Sequence, residues 1–127
     1  MSVAYWCVLV AAILPYLTVG IAKARSSYDN RDPRSPGLYQ GLAYRANSAH
    51  QNGLETFPFF AVAVVVASGG SAHTAIGVLN TLALTWLALR LVYIAAYLLD
   101  WPSLRSLAWI AGLFMTVGIF TLPAWHG

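Results

Sequence analysis

Apolar residues fall into four long runs, at positions 3–22, 53–68, 72–99 and 103–122, with the polar residues collected between them. Crossing a bilayer takes about 20 residues of helix. The second run reaches that length when its helix begins inside the polar segment before it, "AHQNGLETFPFF" (49–60). No run alternates apolar and polar residues with period 2, which argues against a membrane barrel. The pattern predicts one all-α domain over 1–127, an integral membrane four-helix bundle. Its helices are expected at about 3–24, 42–68, 72–99 and 102–122, with a long loop at 25–41.

The connections support this division. Residues 24–41, "ARSSYDNRDPRSPGLYQG", gather Asp29, Asn30, Pro33, Pro36 and Gly37, all of which favour turns over continued helix. The short "SGGSAH" (68–73) makes helices two and three antiparallel neighbours. In "LLDWPSLRS", Pro102 suits the first turn of a new helix, and Asp100 or Trp101 closes the one before. Pro58 removes a backbone donor and releases the carbonyl of Leu54, so a kink is expected one turn past Glu55. The first helix has no basic leader and no small-residue cleavage site, and is expected to be retained rather than cleaved as a signal peptide.

Composition sharpens the membrane reading. The chain is 59% hydrophobic and 9% charged, against about 25% charged for a soluble domain. All seven basic residues and all four acids lie between 23 and 55 or between 90 and 105. In a four-span chain the first and third connections share a side, which the positive-inside rule makes cytoplasmic. Both termini then face the opposite compartment. Trp6, Trp101, Trp125 and Tyr5 fall near the interfaces, where amphipathic rings anchor helices. The basic loop sets topology and meets anionic head groups, so membrane lipid is an expected partner and nucleic acid is not. Cys7 is the sole cysteine, in apolar surroundings, and neither a disulfide nor a metal cluster is expected.

Two charges lie inside the predicted spans. Glu55 is fourteen residues from Gly69, about 21 Å along a helix. Arg90 is seventeen residues from His73, about 25 Å from the same face. Each such charge costs at least about 2.5 kcal/mol and normally faces a partner or a wet cavity. The two are therefore expected to pair, either to lock helices two and three together or as part of a site. Arg45, Ser48, Asn52 and Glu55 follow i, i+3, i+7, i+10, which is one stripe of a helix, and Arg90, Tyr93, Tyr97 and Asp100 repeat the pattern. Arg105 and Ser106 from helix four, with Lys23 or Arg25 from the end of helix one, would complete a cationic cavity holding one acid. Such a cavity suits a small polyanion with an ammonium group, because arginines take carboxylates in fork geometry and Glu55 takes the amine. His50 lies off the stripe and is expected to pack helices or sit at the interface. His73 and His126, at the opposite face, are expected to do no chemistry.

At these residues the chain resembles the MAPEG family, the membrane-associated proteins of eicosanoid and glutathione metabolism. The matching pieces are "RANSAHQNGLETFPFF", with its A-H-x-N-x-x-E-x-x-P-F core, and "RLVYIAAYLLDWPSLRS", an R-x-x-Y-x-x-x-Y stripe followed by P-x-x-R-S. "YDNRDPRSP" before the second helix looks like the family's bacterial branch, which would place the chain in a bacterial inner membrane. The resemblance implies a homotrimer that holds glutathione as co-substrate between neighbouring subunits. Glu55 would bind its amino group and Asn52 its peptide, with Arg90, Tyr93 and Tyr97 lining the site. Arg105 would stabilise the thiolate, with Ser106 as an alternative donor, and Lys23 or Arg25 would supply the basic residue of helix one. Where the eicosanoid enzymes carry arginines on helix two, this chain has Ser48 and Gln51; Arg45, one turn earlier, is the candidate to compensate.

Two functions follow. One is a glutathione-dependent transferase or peroxidase acting on hydrophobic electrophiles or lipid hydroperoxides. The other, favoured by the missing basic residues, is a non-catalytic scaffold that binds lipid or docks to a larger membrane complex. An ion pathway through Glu55 and Arg90 is disfavoured, since the charges stop halfway across.

Overall fold

The structure, a computed structural model, describes residues 1–69 and 75–126. Four helices account for most of them: α1 Val3–Ala24, α2 Leu42–Gly69, α3 Ile76–Leu98 and α4 Pro102–Trp125. All four are long and apolar enough to cross a membrane, and no strand occurs among the described residues. The expected start of the third helix at 72, most of the "SGGSAH" connection and His73 lie outside the described residues.

Helices α2 and α3 form the middle of the bundle, and α1 and α4 each pack against both. The start of α1 meets the start of α3, where the Ala4 backbone N–H donates to Asn80 Oδ1 at 3.1 Å. That bond satisfies one of the N–H groups that a helix leaves unpaired at its first turn. Both odd-numbered helices therefore begin at one end of the bundle. The connections that carry the charges, 25–41 and 99–101, gather at the other.

Small residues make the contacts. The buried positions of α1 are Ala4, Cys7, Ala11, Leu14, Pro15, Thr18 and Ala22, and those of the first half of α2 are Ala43, Ala46, Ala49 and Gly53. In lipid, where apolar side chains gain nothing by leaving the solvent, association rests on close backbone approach and interhelical hydrogen bonds. The large apolar side chains point outwards instead: Leu107 and Phe114 of α4 and Leu17 of α1 are all more than half exposed on the single chain. Inside, the end opposite the charges is filled by Leu79, Ile119, Leu122, Val64 and Phe60, and Phe60 stacks on Trp86 with ring centroids 3.8 Å apart and planes 7° apart. Threonine hydroxyls within the helices, with those of Ser48 and Ser68, bond back to their own backbone, as Thr116 does to the Gly112 carbonyl at 3.0 Å, so they add no unpaired polar group to the interior.

The helix ends follow local chemistry. Ser2 caps α1 by accepting from the Tyr5 N–H. Gly37 and Gly41 take positive φ values of 73° and 55° on the approach to α2, a conformation open to glycine at little cost. Helix α3 closes through Asp100 at φ 60°. There the Trp101 N–H bonds the Ala96 carbonyl at 2.8 Å and the Asp100 N–H bonds the Tyr97 carbonyl at 3.2 Å, the paired return bonds of a Schellman ending. Helix α2 runs on through Pro58 and α4 through Pro123.

Candidate functional site

Arg90 is buried in the middle of the bundle, with 7% of its surface exposed. Its Nη1 donates to Asn52 Oδ1 of α2 at 2.8 Å, and its guanidinium carbon lies 4.1 Å from the centroid of the Tyr93 ring one turn on. Tyr93 meets Tyr97 edge to face at 5.7 Å. Tyr97 in turn lies under the guanidinium of Arg105 from α4, at 4.6 Å. The result is an unbroken stack, Arg90, Tyr93, Tyr97 and Arg105, running from the buried interior to the charged end of the bundle. Each cation is held over an aromatic face, an attraction that strengthens as water is removed.

The expected ion pair between Glu55 and Arg90 is not formed. Asn52 is half-buried at the α2–α3 contact and takes the arginine. Glu55, one turn further on, sits on the exposed flank of α2, and among the described residues no ion pair joins it to Arg90. A neutral amide and an aromatic face replace the carboxylate as the surroundings of the buried cation.

A cavity of about 210 Å³ opens beside this bond. Asn52, Glu55, Arg90 and Tyr93 form its polar part, and Phe59, Trp86, Leu89, Trp109 and Leu113 its apolar part, with Thr56, Ala108, Gly112 and Thr116 completing the wall. Gly112 brings α4 close: a Cβ there would lie 3.7 Å from Trp86 Nε1. Ligand pockets typically span about 300–1,000 Å³, so this cavity is small for a single chain.

Other residues singled out in the sequence stand elsewhere. Arg45 donates through Nη2 to the Leu98 carbonyl at 3.3 Å, tying α2 to the last turn of α3. A cation placed there complements the negative end of the helix dipole. The Ser48 hydroxyl donates to the Tyr44 carbonyl of its own helix at 2.9 Å. Ser106 is exposed on α4. Lys23 and Arg25 are exposed at the end of α1, with Lys23 Nζ 4.7 Å from the Tyr28 ring centroid; neither lines the cavity of the single chain. Asp100 serves as the turn that closes α3. His50 accounts for itself as a packing residue: its Nδ1 lies 2.7 Å from the Pro15 carbonyl of α1. A carbonyl only accepts, so Nδ1 carries the proton in this bond.

The apolar lining was not foreseen from the sequence, although a signal existed. Carried back one turn from Arg90, the α3 stripe reaches Trp86, and carried forward one turn from Glu55, the α2 stripe reaches Phe59. On α4, positions 105, 108, 112 and 116 continue the same face.

Fold and site together define a four-helix, multi-pass membrane protein in which α2, α3 and α4 line a cavity that is polar toward the charged end and apolar beyond it. The sequence model of the MAPEG family matches residues 3–125, and the chain belongs to the MAPEG family. That family includes glutathione transferases and peroxidases and also non-catalytic members. The match concerns the family as a whole and does not bear out a place in its bacterial branch. No curated protein and no solved structure matches the chain.

Proposed function

We propose that the protein is a glutathione-dependent transferase or peroxidase acting on hydrophobic electrophiles or lipid hydroperoxides within the membrane. The carrying observation is the cavity itself, which joins Asn52, Glu55, Arg90 and Tyr93 to the apolar surface of Phe59, Trp86, Trp109 and Leu113. A polar thiol tripeptide and an apolar acceptor need such adjoining environments. Glutathione is the co-substrate commonly used in this family, and its ammonium group would meet the Glu55 carboxylate while Asn52 holds its peptide.

Arg105 is the residue assigned to the thiolate. Its stack on Tyr97 engages the face of the guanidinium, and its N–H donors lie in the plane, directed away from the ring. A thiol with a pKa near about 8.5 is mostly protonated at neutral pH, and an adjacent cation raises the thiolate fraction. In the transferase reaction the thiolate sulfur bonds to the electrophilic carbon and the leaving group departs. In the peroxidase reaction it attacks the terminal oxygen of the hydroperoxide, the O–O bond breaks, the alkoxide leaves and takes a proton to become the alcohol, and the sulfenic acid formed condenses with a second glutathione thiol to disulfide and water.

The small cavity volume and the exposed flank of Glu55 support assembly as a homotrimer. An uncovered carboxylate within a membrane span is costly, and a neighbouring copy laid against α2 would both cover it and enlarge the site. In such an assembly Lys23 or Arg25 of a neighbouring copy could reach the cavity. The charged end faces the cytoplasm by the positive-inside rule.

A second reading, a non-catalytic scaffold, draws support from the far end of the α2 stripe. Ser48 is bonded to its own helix and Arg45 to the end of α3, so neither supplies a free cation where the eicosanoid enzymes have arginine. Titration of the purified protein with glutathione, following thiolate ultraviolet absorbance and thermal stability, separates the two. A thiolate signal with stabilisation supports the enzyme; neither signal at millimolar glutathione leaves the scaffold.

A further inference from the structure

The second amino group of Arg90 lies beside Gly53 of α2. Its Nη2 is buried without a hydrogen-bond partner among the described residues, on a side chain 7% exposed. An orphaned charged donor in the interior costs more than about 1–3 kcal/mol. Beside it lies a separate cavity of about 10 Å³, enclosed by Ala11, Leu14, Pro15 and Thr18 of α1, Ala49 and Gly53 of α2, and Trp86, Arg90 and Ile94 of α3. Gly53 makes this room: a Cβ there would come within 3.7 Å of Arg90 Nη2 and 2.9 Å of Pro15 Cγ.

Two acceptors belong to residues that line the same space. Pro15 has no N–H, so the Ala11 carbonyl lacks the donor that a helix would otherwise give it, and Ala11 lines the cavity. Thr18 Oγ1 spends its proton on the Pro15 carbonyl at 2.9 Å, which leaves its lone pairs as acceptors. A cation is excluded by the guanidinium, and an anion by the carbonyl and hydroxyl oxygens. A neutral molecule that accepts once and donates twice satisfies all three groups, and the volume is about that of one water.

We infer that this cavity is a binding site for a single structural water, which accepts from Arg90 Nη2 and donates to the Ala11 carbonyl and to Thr18 Oγ1. The water extends the interaction of Arg90 to a third helix. Through Nη1 the guanidinium holds α2, through its face it rests on Tyr93 of α3, and through the water it reaches the proline turn of α1. The break in α1 hydrogen bonding at Pro15 is thereby used rather than merely tolerated.

The test is a structure of the full chain in lipid or detergent, by crystallography or electron microscopy, at a resolution that shows ordered water. The expected result is one water within about 3 Å of both Arg90 Nη2 and the Ala11 carbonyl oxygen. A dry cavity, or Nη2 bonded directly to a protein oxygen, overturns the inference. Pro15→Ala gives the Ala11 carbonyl its helical donor back and leaves Arg90 Nη2 and Thr18 Oγ1 in place, so in that variant the water should keep Nη2 and lose its contact with the Ala11 carbonyl. A water still within about 3 Å of the Ala11 carbonyl oxygen there overturns the part assigned to that carbonyl, and the wild-type map decides the site whether or not that variant folds.

Discussion

Arg90 of α3 and Asn52 of α2 are joined by a 2.8 Å hydrogen bond across the centre of the bundle, and this bond connects the polar part of the cavity to the packing of two helices. Replacing Asn52 by Leu leaves a buried charged donor without its acceptor. The expected cost is about 1.5–3 kcal/mol, the range for hydrogen bonds to charged groups, read as a lowered thermal midpoint in detergent. Asn52→Asp keeps an oxygen in place and should retain most of the stability. An Asn52→Leu variant as stable as wild type would show that the bond contributes nothing.

Gly53 stands against the ring of Pro15, where an added Cβ would lie 2.9 Å from Cγ. Gly53→Ala should therefore push α1 from α2 and destabilise by about 1–3 kcal/mol, the usual range for overpacking. Pro15→Ala removes the obstructing ring, and in the double variant the cost of Gly53→Ala should largely vanish. A thermal-unfolding double-mutant cycle with no coupling between the two sites would reject the contact as the cause.

Among the described residues the Glu55 side chain makes no hydrogen bond or ion pair, so Glu55→Gln should change the stability of the folded subunit by no more than about 0.5 kcal/mol. Glutathione affinity should fall by about tenfold or more, equivalent to about 1.4 kcal/mol. The comparison needs calorimetric titration beside size analysis in detergent. Retained glutathione binding with loss of the oligomer would reassign Glu55 to a contact between subunits.

Arg105→Ala should abolish the thiolate absorbance of bound glutathione and any turnover while leaving the oligomer intact. Arg105→Lys, which keeps the charge but loses the planar fork, should restore part of the signal. Tyr97→Leu removes the ring beneath Arg105 and should weaken the signal more than Tyr97→Phe, which preserves the stack. Collapse of the oligomer in Arg105→Ala would instead make Arg105 a structural residue.

Asp100 holds the left-handed conformation that closes α3, at φ 60°. A residue with a Cβ pays about 1–2 kcal/mol there, less for Asp than for most. Asp100→Gly should raise stability by up to about 1 kcal/mol, and a lowered thermal midpoint would show that the carboxylate has a role beyond the turn.

Much of this architecture can be read along the chain because the bilayer imposes it locally. Length and apolar content decide where a helix can span, and the confinement of charge to 23–55 and 90–105 already separates the two ends of the bundle. The stripe of Arg90, Tyr93 and Tyr97 is also local, since helical periodicity alone places those side chains on one face. Partner choice is different in kind. Glu55 and Arg90 are the charges a sequence offers for pairing, yet a one-turn difference in how α2 lies on α3 gave the arginine to Asn52 and left the carboxylate on the flank. Arg45 likewise belongs by spacing to the α2 stripe, but the end of α3 came within its reach and took its donor. Gly53 and Pro15, thirty-eight positions apart, meet only because two helices packed at backbone distance, and the cavities on either side of Arg90 exist for the same reason. Helix formation and membrane spanning are properties of consecutive residues; hydrogen-bond partners, cavities and the surroundings of a buried charge depend on the rotation and depth of one helix against another, which only the packed bundle decides.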